Sequence, residues 1–262
     1  MSKYALKVGQ SAVERLAVLD EIHAVTSSHI LSGVSLPAPS RILDVGCGVG
    51  HTTIRLARHF GSQAHVVGID REPSQIDTSK RENPSPNIEY RVGDLKDYLE
   101  QLSGYDLIYG RFVFGHNRDC IDLLGRIFAN MRSGARLIFE EPDIGTARTL
   151  VGTGIIEEVE DLYRKLGDSL GQNFSSSLNL ASEAVALDSA AEIRFVQPVI
   201  SRPRYKQLYL LGLKEVRGKY ISQGIADELA LDDIERRLER EVNDPSSLIA
   251  TARLIQISLR KS

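Results

Sequence analysis

Apolar positions along the chain change their rhythm near residue 145. Before that point, short apolar runs alternate with stretches of helical spacing. The runs Arg41–Gly46 (RILDVG), Ala64–Asp70 (AHVVGID), Ile88–Val92, Tyr105–Tyr109 (YDLIY) and Ala135–Glu140 (ARLIFE) predict five strands. Between them, His51–Phe60 carries Ile54, Leu56, Ala57 and Phe60 as its apolar positions and predicts a helix. Pro73 is placed to open a second helix, and Ile121–Met131 reads as a third, stopped by Ser133-Gly134. Pro142 is expected to close the fifth strand. Strands alternating with helices in this way predict βαβ units and a parallel sheet.

Beyond residue 145 the period becomes longer. Ile155, Val159, Leu162, Leu166 and Leu170 follow helical spacing, so a helix is expected over about Gly154–Leu170. Ser175-Ser176-Ser177 signals a helix start, with a helix to Leu187 behind it. Ile193–Ile200 (IRFVQPVI) predicts a strand near an edge, because Pro198 cannot donate to a ladder. Tyr205, Leu208, Leu213, Val216 and Tyr220 give a further helix, and Leu231, Ile234, Leu238 and Val242 another, whose many charges form a solvated face. Ile255, Ile257 and Leu259 alternate as a last strand, expected to pair antiparallel with the one before it at one side of the sheet.

Composition narrows the function classes. Across 262 residues, 32 basic and 35 acidic side chains give a net charge of −3, which speaks against a surface built to grip phosphate backbones. The absence of Trp, with aromatics at 6%, weakens a base-stacking role as well. Cys47 and Cys120 are the only cysteines, too few for a disulfide framework or a zinc cluster built on Cys. No metal site is expected. The first 30 residues are charged throughout and do not read as a signal peptide, and no apolar run reaches 18 residues. The expectation is a cytoplasmic protein with no membrane and no nucleic-acid partner.

The chemistry concentrates in Asp44-Val45-Gly46-Cys47-Gly48-Val49-Gly50, directly after the first strand. Glycines there let the backbone turn sharply and approach a ligand, and the following helix offers its N–H groups to an anionic group. The second strand ends in Asp70, about where a carboxylate bonds ribose hydroxyls, although Asp70 also fits a helix N-cap. The third ends in Gly93-Asp94-Leu95, where an acid and an apolar side chain could face an adenine; Asp94 too could be an N-cap. Open α/β sheets bind ligands at the carboxyl ends of their strands, where all three positions lie. The dinucleotide fingerprint G-x-G-x-x-G fits poorly, because the third glycine comes one place early.

LDVGCGVG, VVGID, RVGDL, YDLIYGRFVFGH and ARLIFEEPD resemble the successive motifs of class I S-adenosylmethionine-dependent methyltransferases, over residues 41–143. The resemblance implies an α/β, Rossmann-like sheet of seven strands in the order 3-2-1-4-5-7-6, with strand 7 antiparallel, helices on both faces and a helical lid. It also implies a single domain over 1–262. Residues 1–40 would be an N-terminal helical cap, 41–150 the cofactor-binding core, 151–190 and 203–242 helical insertions or lid, and 191–202 and 246–262 the terminal strands. The cofactor implied is S-adenosyl-L-methionine. Asp44, Gly46, Cys47 and Gly48 would line its methionine end, with Arg111 below the methionyl portion and Tyr4 folded over it. Asp70 and Arg71 would face the ribose and adenine edge, and Asp94 and Leu95 the adenine ring. Gly50 is expected to serve helix packing instead.

The acceptor expected is a small molecule, methylated on oxygen or, alternatively, on nitrogen. Neither the Asp/Asn-Pro-Pro-aromatic motif of nucleic-acid amine methylation nor a Pro-Cys nucleophile occurs. His116, five residues past Arg111, is the candidate general base, since an unperturbed imidazole suits removal of a proton near neutral pH. Its competing role is structural. Glu140, Glu141 and Asp143 follow the fifth strand and could bind an amine, hold His116, or simply be solvated. The helical pair at 203–242 either packs on the lid or forms a homodimer contact. A cofactor-binding protein without catalysis, and a nucleotide-dependent oxidoreductase, are the other readings carried forward.

Overall fold

A computed structural model describes residues 10–262. Tyr4 lies outside the described residues. The chain begins with α1 (Gln10–Ser32) and enters a seven-stranded sheet at β1 (Ser40–Val45). There follow α2 (His51–Phe60), β2 (Ala64–Asp70), α3 (Pro73–Glu82), β3 (Ile88–Val92), a single turn α4 (Leu95–Tyr98), β4 (Leu107–Arg111), α5 (Cys120–Asn130) and β5 (Arg136–Asp143). The second half adds β6 (Arg148–Val151), α6 (Ile155–Ser169), α7 (Ser177–Leu187), β7 (Glu192–Val196), β8 (Val199–Ile200), α8 (Pro203–Ser222), α9 (Glu228–Asn243), β9 (Leu248–Ala250) and β10 (Arg253–Arg260).

The main sheet runs β3-β2-β1-β4-β5-β10-β7. Its first five strands are parallel, and β10 runs antiparallel to both neighbours, pairing Ile257 with Phe139 and with Ile193. Strands covered on both faces read as continuous apolar runs, which is why Ile42, Leu43, Val66, Val67, Leu107 and Ile108 are all buried. One core cluster joins that sheet to α5 and α7, and another joins it to α2 and the end of α1.

Several boundaries differ from expectation. The fourth strand starts two residues later than predicted. The fifth passes through Pro142, which pairs with Leu254, and ends at Asp143. The predicted Ile193–Ile200 strand divides at Gln197-Pro198, where the missing N–H ends the ladder. Its second part, β8, joins β9 and β6 in a separate three-stranded antiparallel sheet. That small sheet shares an apolar core with α6, α8 and α9, containing Ile156, Leu213, Leu238 and Ile249. Residues 148–151 therefore belong to this second layer, not to the core sheet.

Candidate functional site

The first turn is built by backbone geometry. Gly46 and Gly48 have φ of 64° and 55°, the left-handed region that a side chain disfavours. A Cβ on Gly46 would stand 2.8 Å from Val113 Cγ2, and one on Gly48 would stand 3.0 Å from Gln75 Oε1. Gly50 is crowded differently: a Cβ there would meet the Tyr90 hydroxyl at 2.7 Å, so this position does serve packing.

Two clefts open beside this turn, of about 590 and 600 Å³ counting the solvent at their mouths. The first is lined by Gly46, Asp70, Arg71, Asp94 and Leu95. The second is lined by Gly46, Cys47, Gly48, Asp70, Arg111 and, from α1, Arg15. Asp70 stands between them. Its Oδ2 accepts the Gly48 N–H at 3.0 Å and its Oδ1 the Glu72 N–H at 2.9 Å. Burial raises its pKa against those bonds. Asp94 accepts the Lys96 N–H at 3.0 Å, so it caps α4 while lining the first cleft.

A larger cavity of about 1100 Å³, again counting open solvent, lies beyond the clefts, between the ends of β4 and β5 and the helices α1, α6 and α8. Its lining is mostly apolar and aromatic, with Phe112, Tyr163, Phe174, Tyr209 and Tyr220. Phe112 and His116 line both clefts and the cavity. Phe112 has φ of 61°, an outlying conformation for an aromatic residue, and its N–H is held by the Glu140 carbonyl at 2.9 Å. After it the chain forms a single 3₁₀ turn ending at His116. Glu141 fixes this turn: its carboxylate accepts the N–H groups of Val113, Phe114 and Gly115 at 2.7, 2.8 and 3.2 Å. Burial nevertheless pushes Glu141 up to about 7.

This strand order, with glycine turn and carboxylates at three successive strand ends, agrees with what comparison to known proteins finds. A family model described as "Methyltransferase domain" matches residues 38–192. The chain is a class I S-adenosylmethionine-dependent methyltransferase by family. Among its relatives is a trans-aconitate 2-methyltransferase of Variovorax paradoxus (strain S110), 31% identical over 117 residues, which cover 45% of this chain and 44% of that one. Another is the aklanonic acid methyltransferase DauC of Streptomyces sp. (strain C5), 27% identical over 158 residues, or 55% and 70% of the two chains. The match to the trans-aconitate methyltransferase thus spans less than half of that relative. A solved phosphoethanolamine N-methyltransferase 2 of Haemonchus contortus, in complex with S-adenosylhomocysteine, shares the fold with a TM-score of 0.53 at 16% identity, over 95% of this chain and 52% of that one.

Set in the methyltransferase fold, most of the sequence-derived residues come together. Gly46, Cys47, Gly48, Asp70, Arg71, Asp94, Leu95, Arg111 and His116 line one cleft or the other. Asp44 does not. It is buried beneath α2, where Thr52 and Thr53 donate their hydroxyls to its Oδ2 at 2.8 and 2.6 Å, and burial raises its carboxyl to about 6. Instead of lining the methionine end directly, it pins the first turn of α2 to β1 through Oδ2, while its buried Oδ1 has no hydrogen-bond partner among the described residues. Arg111 reaches its cleft with its terminal nitrogens already engaged, on Asp20 at 2.8 Å and Ser27 at 3.3 Å. Glu140 and Asp143 are not solvated loop residues. Glu140 accepts from Tyr109 and Gln256, and Asp143 pairs with Arg253.

His116 is partly buried, its Nδ1 enclosed and its ring edge-on to Phe174 at 5.4 Å. Burial, with the charges of Arg71 and Arg15, holds its imidazole down at about 3. The ring is therefore unprotonated near neutral pH and a weaker proton acceptor than an unperturbed imidazole. Sequence reasoning missed Arg15 and His23. With Leu19 they fall at i, i+4 and i+8 of α1 and line the cavity together, a spacing the sequence does contain.

Proposed function

We propose that this protein moves a methyl group from S-adenosylmethionine to an oxygen of a small acceptor seated in the aromatic cavity. The observation that carries the reading is the shared wall: Phe112 and His116 face the two clefts and the cavity at once, so a cofactor and an acceptor would meet there.

The residues present fit the cofactor. The Gly46–Gly48 turn is a cradle that a Cβ at Gly48 would narrow, and its backbone conformation is one that glycine accepts. Asp70 uses two acceptor sites on backbone N–H groups, and a carboxylate has about four, leaving about two for ribose hydroxyls. Asp94, Arg71 and Leu95 would bound the adenine end, and Cys47, Gly48 and Arg111 the methionyl end. When bound, S-adenosylmethionine supplies an electrophilic methyl on a sulfonium and departs as a neutral thioether.

The chain itself supplies position and dryness. The apolar walls exclude water, and Glu141 holds the Phe112–His116 turn at a fixed distance from both sides. An imidazole held near 3 is a weak proton acceptor, so the geometry suits an acceptor that is already ionised or needs no deprotonation. Two relatives, named for trans-aconitate and aklanonic acid, take acids by their names, which supports oxygen over nitrogen.

The test is titration calorimetry with S-adenosylhomocysteine, followed by a methyl-transfer assay on matched carboxylic acids, phenols and primary amines. Binding of S-adenosylhomocysteine with methyl-ester or methyl-ether formation is the expected result. Transfer confined to amines overturns the oxygen assignment, and failure to bind S-adenosylhomocysteine overturns the reading altogether.

A further inference from the structure

The cavity carries an ionic feature that the transfer reaction alone does not require. Arg15 projects from α1 into the wall shared by the cavity and the second cleft, with its side chain 9% exposed. Its Nε donates to Glu215 of α8 at 2.7 Å. Its two terminal amino groups donate to no other group among the described residues. Among the described residues, Arg15 is the only Arg or Lys lining the cavity.

The acidic residues of the same wall are committed elsewhere. Glu141 accepts three backbone N–H groups, and Glu160 accepts the Gly145 N–H at 2.7 Å. His23 is buried and His116 partly so, both with imidazoles held at about 3, so neither brings a positive charge at neutral pH. A guanidinium tied to Glu215 through its Nε, with no other partner among the described residues, is prepared for a planar oxyanion, which it can grip through two parallel N–H groups. In an otherwise apolar wall that interaction would be little screened. Arg15 also lies close enough to His116 for its charge to depress that imidazole, so an anion on Arg15 would sit beside the turn shared by both compartments.

We propose that Arg15 is the specificity-determining residue of the acceptor cavity, and that it selects acceptors bearing a carboxylate on an apolar body. This rests on the reading of the cavity as the acceptor site. Glu215 is the positioning residue: it holds the guanidinium edge-on so that the terminal nitrogens face the cavity. The same chemistry could serve the cofactor's own carboxylate, since Arg15 lines the second cleft as well, and the test separates the two sources.

Protein loaded with S-adenosylhomocysteine is titrated by calorimetry with octanoate and trans-cinnamate, and with octanamide and cinnamamide as neutral counterparts. The same series is run on Arg15→Gln and on Arg15→Gln combined with Glu215→Gln, which avoids leaving a buried carboxylate alone, with circular dichroism and melting to confirm folding. We expect each acid to bind wild type at least about tenfold tighter than its amide, a difference of about 1.4 kcal/mol. Both variants lose that preference while their affinity for S-adenosylhomocysteine stays within about threefold. Equal binding of acid and amide to wild type, no binding of either acid at about 1 mM, or retention of the preference in a folded double variant each overturns the proposal. Retained preference together with a loss of S-adenosylhomocysteine affinity of about tenfold or more assigns the guanidinium to the cofactor instead. Failure of wild type to bind S-adenosylhomocysteine sinks the underlying reading and is seen before any acid is added.

Discussion

Asp70 binds its own backbone on both oxygens and still borders both clefts, so its substitution has to separate the two roles. Asp70→Asn keeps the shape and one acceptor oxygen but turns the other into a donor. S-adenosylhomocysteine affinity should then fall by about 1.5–3 kcal/mol, the usual worth of hydrogen bonds to a charged group, measured by calorimetry on protein whose melting is unchanged within a few degrees. Undiminished affinity would remove Asp70 from the cofactor site. At His116 the consequence of burial is kinetic. An imidazole held at about 3 stays neutral from pH 5.5 to 9, so no limb of the pH–rate profile should belong to it. His116→Gln should lower kcat by less than about tenfold on an ionised acceptor, whereas a true general base would cost about 10²–10⁴-fold. A loss in the larger range, with a limb abolished, would restore the base role that the sequence suggested.

The helix α1 does more for the site than a cap over the sheet would. Its Asp20 accepts Arg55 of α2 through both oxygens, at 2.7 and 2.6 Å, and Arg111 of β4 at 2.8 Å. Burial works against ionising Asp20, yet the two guanidiniums hold its pKa below the usual carboxylate value. Asp20→Asn should cost about 2 kcal/mol in denaturant unfolding, less than the ~3–5 kcal/mol of breaking a fully buried pair because Asp20 keeps some solvent. It should also weaken S-adenosylhomocysteine binding, since Asp20 holds Arg111 at the second cleft and the same helix carries Leu16 into it. Unchanged stability would mean that apolar packing alone seats α1. The five parallel strands were legible from sequence because burial on both faces leaves unbroken apolar runs such as Val66–Val67 and Ile42–Leu43. The second sheet was not, because β6, β8 and β9 have four, two and three residues, too short to establish a period of two. The site divided along the same line. Gly46, Gly48, Asp70 and Asp94 announce themselves next to strand ends, while Arg15 and His23 reach the cavity only through the packing of α1 on α8. Asp44 looked like a ligand residue because its place in the motif shows no sign of Thr52 and Thr53 taking its oxygen from below.

Across the molecule, buried titratable groups fall into two sets that pull stability in opposite directions with pH. His23 and His116 have native values of about 3 against 6.5 for the unfolded chain. The unfolded state therefore takes up protons first, and the stability these residues contribute is lost as pH falls from about 6.5 toward 3. His51 and Asp20, both lowered, add to that acid-side loss. Glu141 and Glu160 stand at about 7 against 4.5, and Asp44 at about 6 against 3.8. Here the native state keeps its protons longer, so their contribution is full at acid pH and is lost as pH rises toward about 7. Asp70, also raised, acts in the same sense. Between about pH 4.5 and 6.5 the sets offset one another, and below about 4 only the histidines and Asp20 continue to act. The melting temperature should therefore be nearly level from about pH 5 to 6.5 and drop steeply below about 4. Replacing one member of the acid-sensitive set tests the cause. His23 has a buried Nδ1 without a hydrogen-bond partner among the described residues, so His23→Leu removes both an orphaned polar atom and one proton of acid-linked uptake. Calorimetric melting of that variant from pH 3.5 to 8 should show an acid limb shallower than wild type, with the gain in melting temperature growing as pH falls. A gain equal at every pH would leave only the orphaned atom as its source, and an unchanged limb would place the acid sensitivity of this fold elsewhere.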